Sequence, residues 1–348
     1  MTTTTVGEVR ELARDLLTAG GMPEEPAART AWALVLAESW GARSHGLLRL
    51  PHYLRRFATG GCDPAAPLRL VTDLGAVAVY DGGNGLGHPQ LWHAASVAAE
   101  RAASHGVGTV AVGNSGHCGA LGIYVLPMLE AGMIGLVFSN GPAAMPPWGG
   151  RTPVLSTSPL AAGLPTSPPA IVDMATSAAA RGRIAEAQAA GRPLPEGWAF
   201  DADGAPTTDP ATALAGMLAP MAGAKGYALA LVVEALTGAM VGPHLASDVA
   251  DPLSADHAGA PQRIAHLALA LDAGRLDLDG CSTRRFALLG RRIADAGGRL
   301  PGEHRWAIAR APRDAPVDVA PPTVRALADS ARELSVPLPT GWADAGDR

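Results

Sequence analysis

Apolar positions recur at three- and four-residue intervals through residues 7–40 ("VRELARDLLTAGG", then "EEPAARTAWALVLAESWG"), with Gly20, Gly21 and Gly41 as stops, which predicts helices at the N-terminal end. The next stretch, "GARSHGLLRLPHYLRRF", sets His45, Arg49 and Tyr53 at four-residue intervals among leucines. Ser44 stands where a helix cap is expected. Pro51 is expected to kink or restart that helix, because proline lacks an N–H and disfavours helix at Leu50. From residue 76 the pattern changes: "AVAVYD" reads as a strand, "HPQLWHAASVAAERAASHG" as a helix, "VGTVAVGNS" as a strand, "YVLPMLEAG" as a short helix and "MIGLVFSN" as a strand. This alternation predicts an α/β domain.

Residues 141–170 hold eight prolines and little periodicity, so they form a long ordered connection or several short strands. "AIVDMATSAAARGRIAEAQAAG" reads as a strand running into a helix, with "DMATS" at the junction. Beyond the polar turn "DADGAPTTDP", "MAGAKGYALALVVEALTG" places a glycine-flanked lysine at the start of an apolar helix. "RIAHLALALD" predicts a strand, and "TVRALADSARELSV" one amphipathic helix after the prolines past residue 311.

Composition narrows the class. The 348 residues are 48% hydrophobic, enough for a folded protein with a substantial core, and the net charge of −5 offers no basic surface for nucleic acid or an anionic membrane. Cys62, Cys118 and Cys281 are scattered, which suits neither a disulfide framework nor a zinc knuckle and fits a reducing cytoplasm. The start, "MTTTTVGEVREL", has no signal-peptide pattern, and the longest apolar run, "YALALVV", stops at Glu234, far short of the roughly 20 residues a spanning helix needs. Of 27 basic Lys and Arg residues only Lys225 is lysine, so its retention points either to work that arginine cannot do or to chance on a solvated surface.

Several motifs could carry chemistry. In "VYDGGNGLGH", glycines 83, 85 and 87 follow a strand and precede a helix, but the spacing is GxGxG and the next strand, ending "VGNS", supplies no acid for a ribose hydroxyl. A tight turn packing helix on sheet is the better reading. "GAKG" combines backbone N–H groups at a helix start with a compact cation, a phosphate site in outline. "VDMATS" offers Thr176 and Ser177 either as anion ligands or as ordinary caps. "GNSGHCG" leaves His117 at a strand end, where it is either catalytic or structural. His45, Arg49 and Tyr53 on one helical face suit an acidic substrate that gains or loses a proton, or else a partly solvated interface. His88 and His93 are five apart and no HExxH occurs, so no metal site is expected.

Together, "SHGLLRLPHY", "GNGLG", "HGVGTVAVGNSGHCGALGIY", "MIGLVFSN", "PVLSTSPLAAGLPT", "VDMATSAAARGRI", "LPEGWAFDADGAPTTDP" and "GAKGYALALVVEAL" resemble, in order over about residues 35–240, the malate/L-lactate dehydrogenase family of the sulfolactate dehydrogenase type. "HLALALD" and "RLPGEHRW" look like weaker continuations. That family also includes ureidoglycolate dehydrogenase, diketogulonate reductase and Δ1-piperideine-2-carboxylate reductase.

The resemblance implies a non-Rossmann α/β fold in which a mixed-sheet NAD or NADP domain (76–310) joins a helical domain built from both chain ends (1–75 with 311–348). It implies a homodimer. Ser44, His45, Arg49, Tyr53 and His117 would be catalytic, with His45 named ahead of His117 as acid/base and Ser44 and Tyr53 orienting the substrate carbonyl. Asn140, Asp173, Met174, Ala175 and Thr176 would line the cofactor, Lys225 would meet its phosphates, and the "PGEH" segment with Gly302 and His304 would close over it. The implied reaction is hydride transfer at C2 of a small 2-oxo or 2-hydroxy acid, with reduction of a cyclic imine carboxylate as the alternative. A cofactor-binding or structural homologue without turnover is the third expectation, motivated by Arg43, which replaces the acidic residue common before SHG, and by residues 241–262, which match poorly; Cys118, in place of an aromatic, is a further departure that bears on substrate identity.

Overall fold

The computed structural model describes residues 2–251, 257, 259–339 and 342. Strand β1 (Thr2–Thr5) leads into α1 (Val6–Ala19), where Thr5 and Glu8 form a reciprocal capping box, and α2 (Glu24–Ser39) follows. Two 3-10 turns, Arg43–His45 and Leu47–Arg49, feed α3 (Leu50–Ala58). Pro51 sits in the first turn of α3, where its missing N–H costs nothing, so it restarts the helix. The expected Ser44 cap is not made: α3 is preceded by Arg49, without a side-chain cap, and the Ser44 hydroxyl pairs with His45. The His45, Arg49, Tyr53 row thus crosses 3-10 turns into an α-helix rather than running along one helical face.

A hairpin of β2 (Arg69–Asp73) and β3 (Val77–Asp81) precedes α4 (Gly87–His105) and β4 (Val107–Ser115). The 3-10 turn Leu121–Val125 continues as α5 (Leu126–Glu130), and β5 (Ile134–Ser139), β6 (Leu160–Leu164) and β7 (Ala170–Met174) extend the sheet. Next come α6 (Arg181–Ala189), β8 (Ala199–Phe200), β9 (Pro206–Thr207), α7 (Pro210–Ala215) and β10 (Met217–Leu218). Helix α8 (Ala224–Glu234) runs into a π-turn, Ala235–Ala239. The chain finishes with β11 (Ile264–Leu271), α9 (Ser282–Asp295), α10 (Glu303–Ile308), β12 (Pro316–Val319) and α11 (Pro321–Glu333).

The central sheet has the order β2-β3-β4-β11-β5-β6-β7, and among the described residues β3–β4 is its one parallel pair. β11, from late in the chain, is antiparallel to both β4 and β5 and separates them. A Rossmann sheet needs those strands adjacent and parallel, so the fold is α/β with a mixed, non-Rossmann sheet. Helix α4 covers it on alanines, packed so closely that a Cβ on Gly108 of β4 would stand 2.0 Å from the Ala98 carbonyl.

A second core joins α1, α2 and α3 to β12 and α11, through Leu12, Leu16, Leu34, Leu50, Val319 and Leu327. β2 lies within 1–75, the range expected to belong with the helices, yet it pairs into the sheet.

Candidate active site

β3 and β4 are parallel neighbours, so the segments leaving their carboxyl ends meet at one sheet edge, the usual location of α/β sites. The segment after β3 is the glycine turn. Its Gly82, Asn84 and Gly85 amides donate to Gly113, Asn114 and Gly82 carbonyls, and Gly87 N–H donates to His117 O. A Cβ at Gly87 would lie 2.3 Å from the Gly116 carbonyl. No room is left for a pyrophosphate at this helix start; the motif is the packing turn that its spacing predicts.

Immediately beyond, α4 places His88 under the segment that carries His117. His88 is 1% exposed, and its ring lies 5.4 Å from that of Tyr53 at 73° and 6.5 Å from that of His117 at 67°. A Cβ on Gly119, whose φ is 72°, would stand 2.7 Å from His88 Nε2, so glycine is required there on both steric and conformational grounds. The 3-10 turns lower His45 onto the same cluster, its ring stacked 5.8 Å from that of His117 at 17°. Buried Glu38 braces this turn: its Oε2 accepts from Leu47 N–H at 3.2 Å and would lie 2.5 Å from a Cβ on Gly46. Arg43 approaches Glu38 Oε1 at 3.7 Å, so the residue that departs from the family pattern acts as a counter-ion beneath the turn.

Hydrogen bonds orient the functional groups. Tyr53 Oη is 2.6 Å from His117 Nδ1, and Gly119 N–H donates to the same nitrogen at 3.3 Å. The Tyr53 hydroxyl is thereby engaged by His117. Ser44 Oγ lies 3.0 Å from His45 Nδ1, so its hydroxyl too has a partner. Arg49 Nε donates to the Ser44 carbonyl at 2.7 Å, which fixes the guanidinium and leaves its two Nη groups as a fork.

Burial, then Arg49, pushes His45 down to about 4; burial, then His266 and His45, takes His88 to about 3. His117 is held well below the usual imidazole range by burial, then by Arg49, His45, His88 and His52. At neutral pH the site therefore presents one fixed cation among neutral rings.

His266 was not singled out in the sequence, yet from β11 it bonds Gly116 O at 3.1 Å and Ser139 Oγ at 2.9 Å, bracing the backbone just before His117.

The residues expected at the cofactor fall along β7, α8 and α10. Asp173 sits opposite Gly122 with Arg305 Nη1 at 3.6 Å, and burial raises its carboxyl against the pull of Gly122 N–H and Arg305. Met174 and Ala175 are half-buried at the end of β7. The junction after them is not a helix start: α6 begins at Arg181, Thr176 N–H and hydroxyl both donate to Thr157 O, and Ser177 Oγ donates to Ala179 O. The Thr176 amide and both hydroxyls expected to be free at "DMATS" are therefore occupied by backbone partners.

Asn140 is likewise engaged, its amide joining the His244 carbonyl at 3.0 Å to Ala265 N–H at 2.9 Å. Gly302, with φ 59°, would bring a Cβ to 2.3 Å from Ile171 O, so it lets α10 close onto β7, and His304 is exposed on α10. Lys225 is exposed in the first turn of α8, whose N-cap Gly223 makes no side-chain capping bond. An uncapped helix start beside an exposed ammonium fits the phosphates of a nicotinamide cofactor.

Among the described residues no three His, Cys, Asp or Glu side chains converge to hold a metal, and no helix is long and apolar enough to cross a membrane.

Comparison with known proteins identifies the family. The chain matches the family described as malate/L-lactate dehydrogenase over residues 4–328. It is 38% identical over 305 residues to a (2R)-3-sulfolactate dehydrogenase (NADP(+)) of Chromohalobacter salexigens, covering 87% of this chain and 90% of that protein. It is 35% identical over 306 residues to a Delta(1)-pyrroline-2-carboxylate reductase of Ancylobacter novellus, covering 86% and 89%. The sulfolactate dehydrogenase structure from Methanocaldococcus jannaschii aligns with a TM-score of 0.87 at 32% identity, covering 96% of this chain and 98% of that one.

Proposed function

The chain belongs to the malate/L-lactate dehydrogenase family and is a nicotinamide-dependent oxidoreductase, and from that premise we propose that it reduces a small 2-oxo acid at C2 to the 2-hydroxy acid, reversibly. The observation that carries this reading is the convergence of Arg49, His45 and His117, from separate stretches of chain, on one sheet edge, with the two rings stacked 5.8 Å apart. When bound, the reduced nicotinamide supplies the hydride. Lys225 and the uncapped start of α8 would hold its phosphates, and Asp173, Met174 and Ala175 would form the wall beside it, backed by the buried Thr176, with Gly302 and His304 on the segment that would close over it. The fork of Arg49 grips the substrate carboxylate and fixes C2 in register. His117 stands at the C2 oxygen and delivers its proton, while His45 stacks on it and shields it from water.

The proposal includes a homodimer in the cytoplasm. Leu231, Val232 and Met240 supply exposed apolar surface for a subunit contact, and Cys62, Cys118 and Cys281 are free thiols, in keeping with a reducing compartment. The NADP(+) in the name of the Chromohalobacter protein makes NADPH the first cofactor to try.

One observation favours a second reading. The neutral imidazoles suit a cyclic iminium carboxylate, which brings its own proton and needs no general acid. Oxidation of NADPH and NADH by purified protein against pyruvate, oxaloacetate, 3-sulfopyruvate and five- and six-membered cyclic imine carboxylates separates the readings. Turnover of the oxo acids is expected; turnover confined to the imines replaces the first reading with the second.

A further inference from the structure

A general acid held neutral poses a problem that the geometry around His117 answers. Gly119 N–H points at His117 Nδ1 from 3.3 Å, and a backbone N–H can only donate, so Nδ1 carries no proton. The Tyr53 hydroxyl, 2.6 Å from the same atom, is then also a donor. Two donors on one nitrogen place the ring proton of neutral His117 on Nε2, the nitrogen that neither of them meets. His45 is not determined in this way, because its Nδ1 meets only the Ser44 hydroxyl, which can donate or accept.

We propose that Tyr53 is a positioning residue for the reduction: it locks His117 as the Nε2–H tautomer and replaces the departing proton through Nδ1. This rests on the 2-oxo acid reading above. As the C2 oxygen gains charge, the His117 Nε2–H bond breaks and an O–H bond forms on the substrate. At the same time the Tyr53 O–H bond breaks and an Nδ1–H bond forms. The imidazole stays neutral throughout, with its tautomer reversed, and the negative charge passes to the Tyr53 oxygen. After product leaves, the Nδ1 proton returns to the Tyr53 oxygen and Nε2 takes a proton from solvent, which restores the Nε2–H tautomer.

The surroundings of His117 fit this path, and at Tyr53 burial opposes the phenolate, which Arg49 and Arg56 partly offset. The groups facing His117 are Arg49, His45, His52 and His88, which all oppose an imidazolium once burial has done so. Those facing Tyr53 are Arg49, Arg56, Cys62 and Cys118; burial raises its phenol, and Arg49 is the foremost group that lowers it. Arg49 thus serves the carboxylate and the transient phenolate with one charge. His88, packed edge-on against both rings with its Nδ1 buried and without a partner, holds the pair together without competing for His117 Nδ1.

Two measurements test the lock and the supply separately. In the free enzyme, 15N spectra of the imidazole nitrogens, with His117 assigned by its loss in His117→Asn, are expected to show a protonated Nε2 and a bare Nδ1 at neutral pH; an Nδ1–H tautomer overturns the proposal. In Tyr53→Phe, which keeps the ring packing, kcat with the 2-oxo acid is expected to fall about 10²-fold with KM nearly unchanged. Its residual rate should rise only as pH falls well below the usual imidazole range, where an imidazolium can donate. A Phe variant that keeps the wild-type kcat and pH profile overturns the supply step. Wild-type turnover confined to cyclic imines sinks the underlying reading instead, and the spectra still report on the lock.

Discussion

Around His117 most side chains pair with one another, whereas Thr176 and Ser177 beyond β7 and Asn140 beyond β5 bond to backbone. Tyr53, His117, Ser44 and His45 form side-chain pairs in a buried cluster, with His88 packed edge-on against it. Thr176, Ser177 and Asn140 instead tie their polar groups to carbonyls and amides of neighbouring strands and loops. The first region is a rigid chemical device with few free groups. The second is a scaffold whose contribution to a ligand comes from its shape, from the start of α8 and from the exposed Lys225. Small substrates need placed atoms, while a long cofactor can be held by backbone and one cation, so the two ends should respond differently to substitution.

The largest effect is expected at the point charge of the rigid end. Arg49→Ala removes the fork proposed to grip the carboxylate, and kcat/KM for the acid substrate should fall about 10³-fold, the range that losing one partner of a charge pair commands. Steady-state kinetics check this, and KM for the cofactor should stay within about twofold. A similar loss for both ligands would erase the contrast between the two ends.

Next in size is Gly119→Ala. Its φ of 72° and the 2.7 Å approach of a Cβ to His88 Nε2 strain the turn that orients His117, by about 1–3 kcal/mol. A lower melting temperature together with a kcat drop of about tenfold is expected. A stable variant with unchanged kcat would mean that the cluster is less rigid than its contacts indicate.

How much of this was readable in advance also divides between the regions. "SHGLLRLPHY" and "NSGH" named Ser44, His45, Arg49, Tyr53 and His117, and the structure brings all five to one place. His88 was weighed only against His93 as a metal pair, which the helix spacing ruled out. The signal that could have found it is topological: β3 and β4 are parallel, so residues just past each strand become neighbours. The wall beside the cofactor read less well. "DMATS" looked like a helix start, but tertiary pairing of Thr176 with Thr157 holds it extended and delays α6 to Arg181.

β2 and the two-residue strands β8, β9 and β10 escaped notice, being short and without clear alternation. The insertion of β11 between β4 and β5 is a long-range event that local pattern does not encode.

A smaller effect is expected at Lys225→Arg. The charge is kept but a compact ammonium becomes a planar fork at the start of α8. The KM for NADPH should rise about tenfold with kcat nearly unchanged if Lys225 meets the cofactor phosphates as proposed. An unchanged KM would reduce Lys225 to an ordinary surface residue and place the phosphates elsewhere.

The smallest effect decides what holds the cofactor end together. Asp173 has its carboxyl raised by burial in spite of Gly122 N–H and Arg305. A group raised in the folded state contributes fully below its unfolded value, and that contribution is lost as pH rises through the folded value. At neutral pH the ionised Asp173 is therefore a net cost. Asp173→Asn keeps an oxygen for Gly122 N–H and removes the buried charge, so the apoprotein should melt about 2 °C higher at pH 7, with the gain vanishing near pH 3, where aspartate is itself neutral. Thermal melts across that pH range read the difference directly. If the variant melts lower at pH 7, the 3.6 Å pair with Arg305 outweighs burial, and the link from β7 to α10 is an electrostatic clasp like the charged, side-chain-built region around His117.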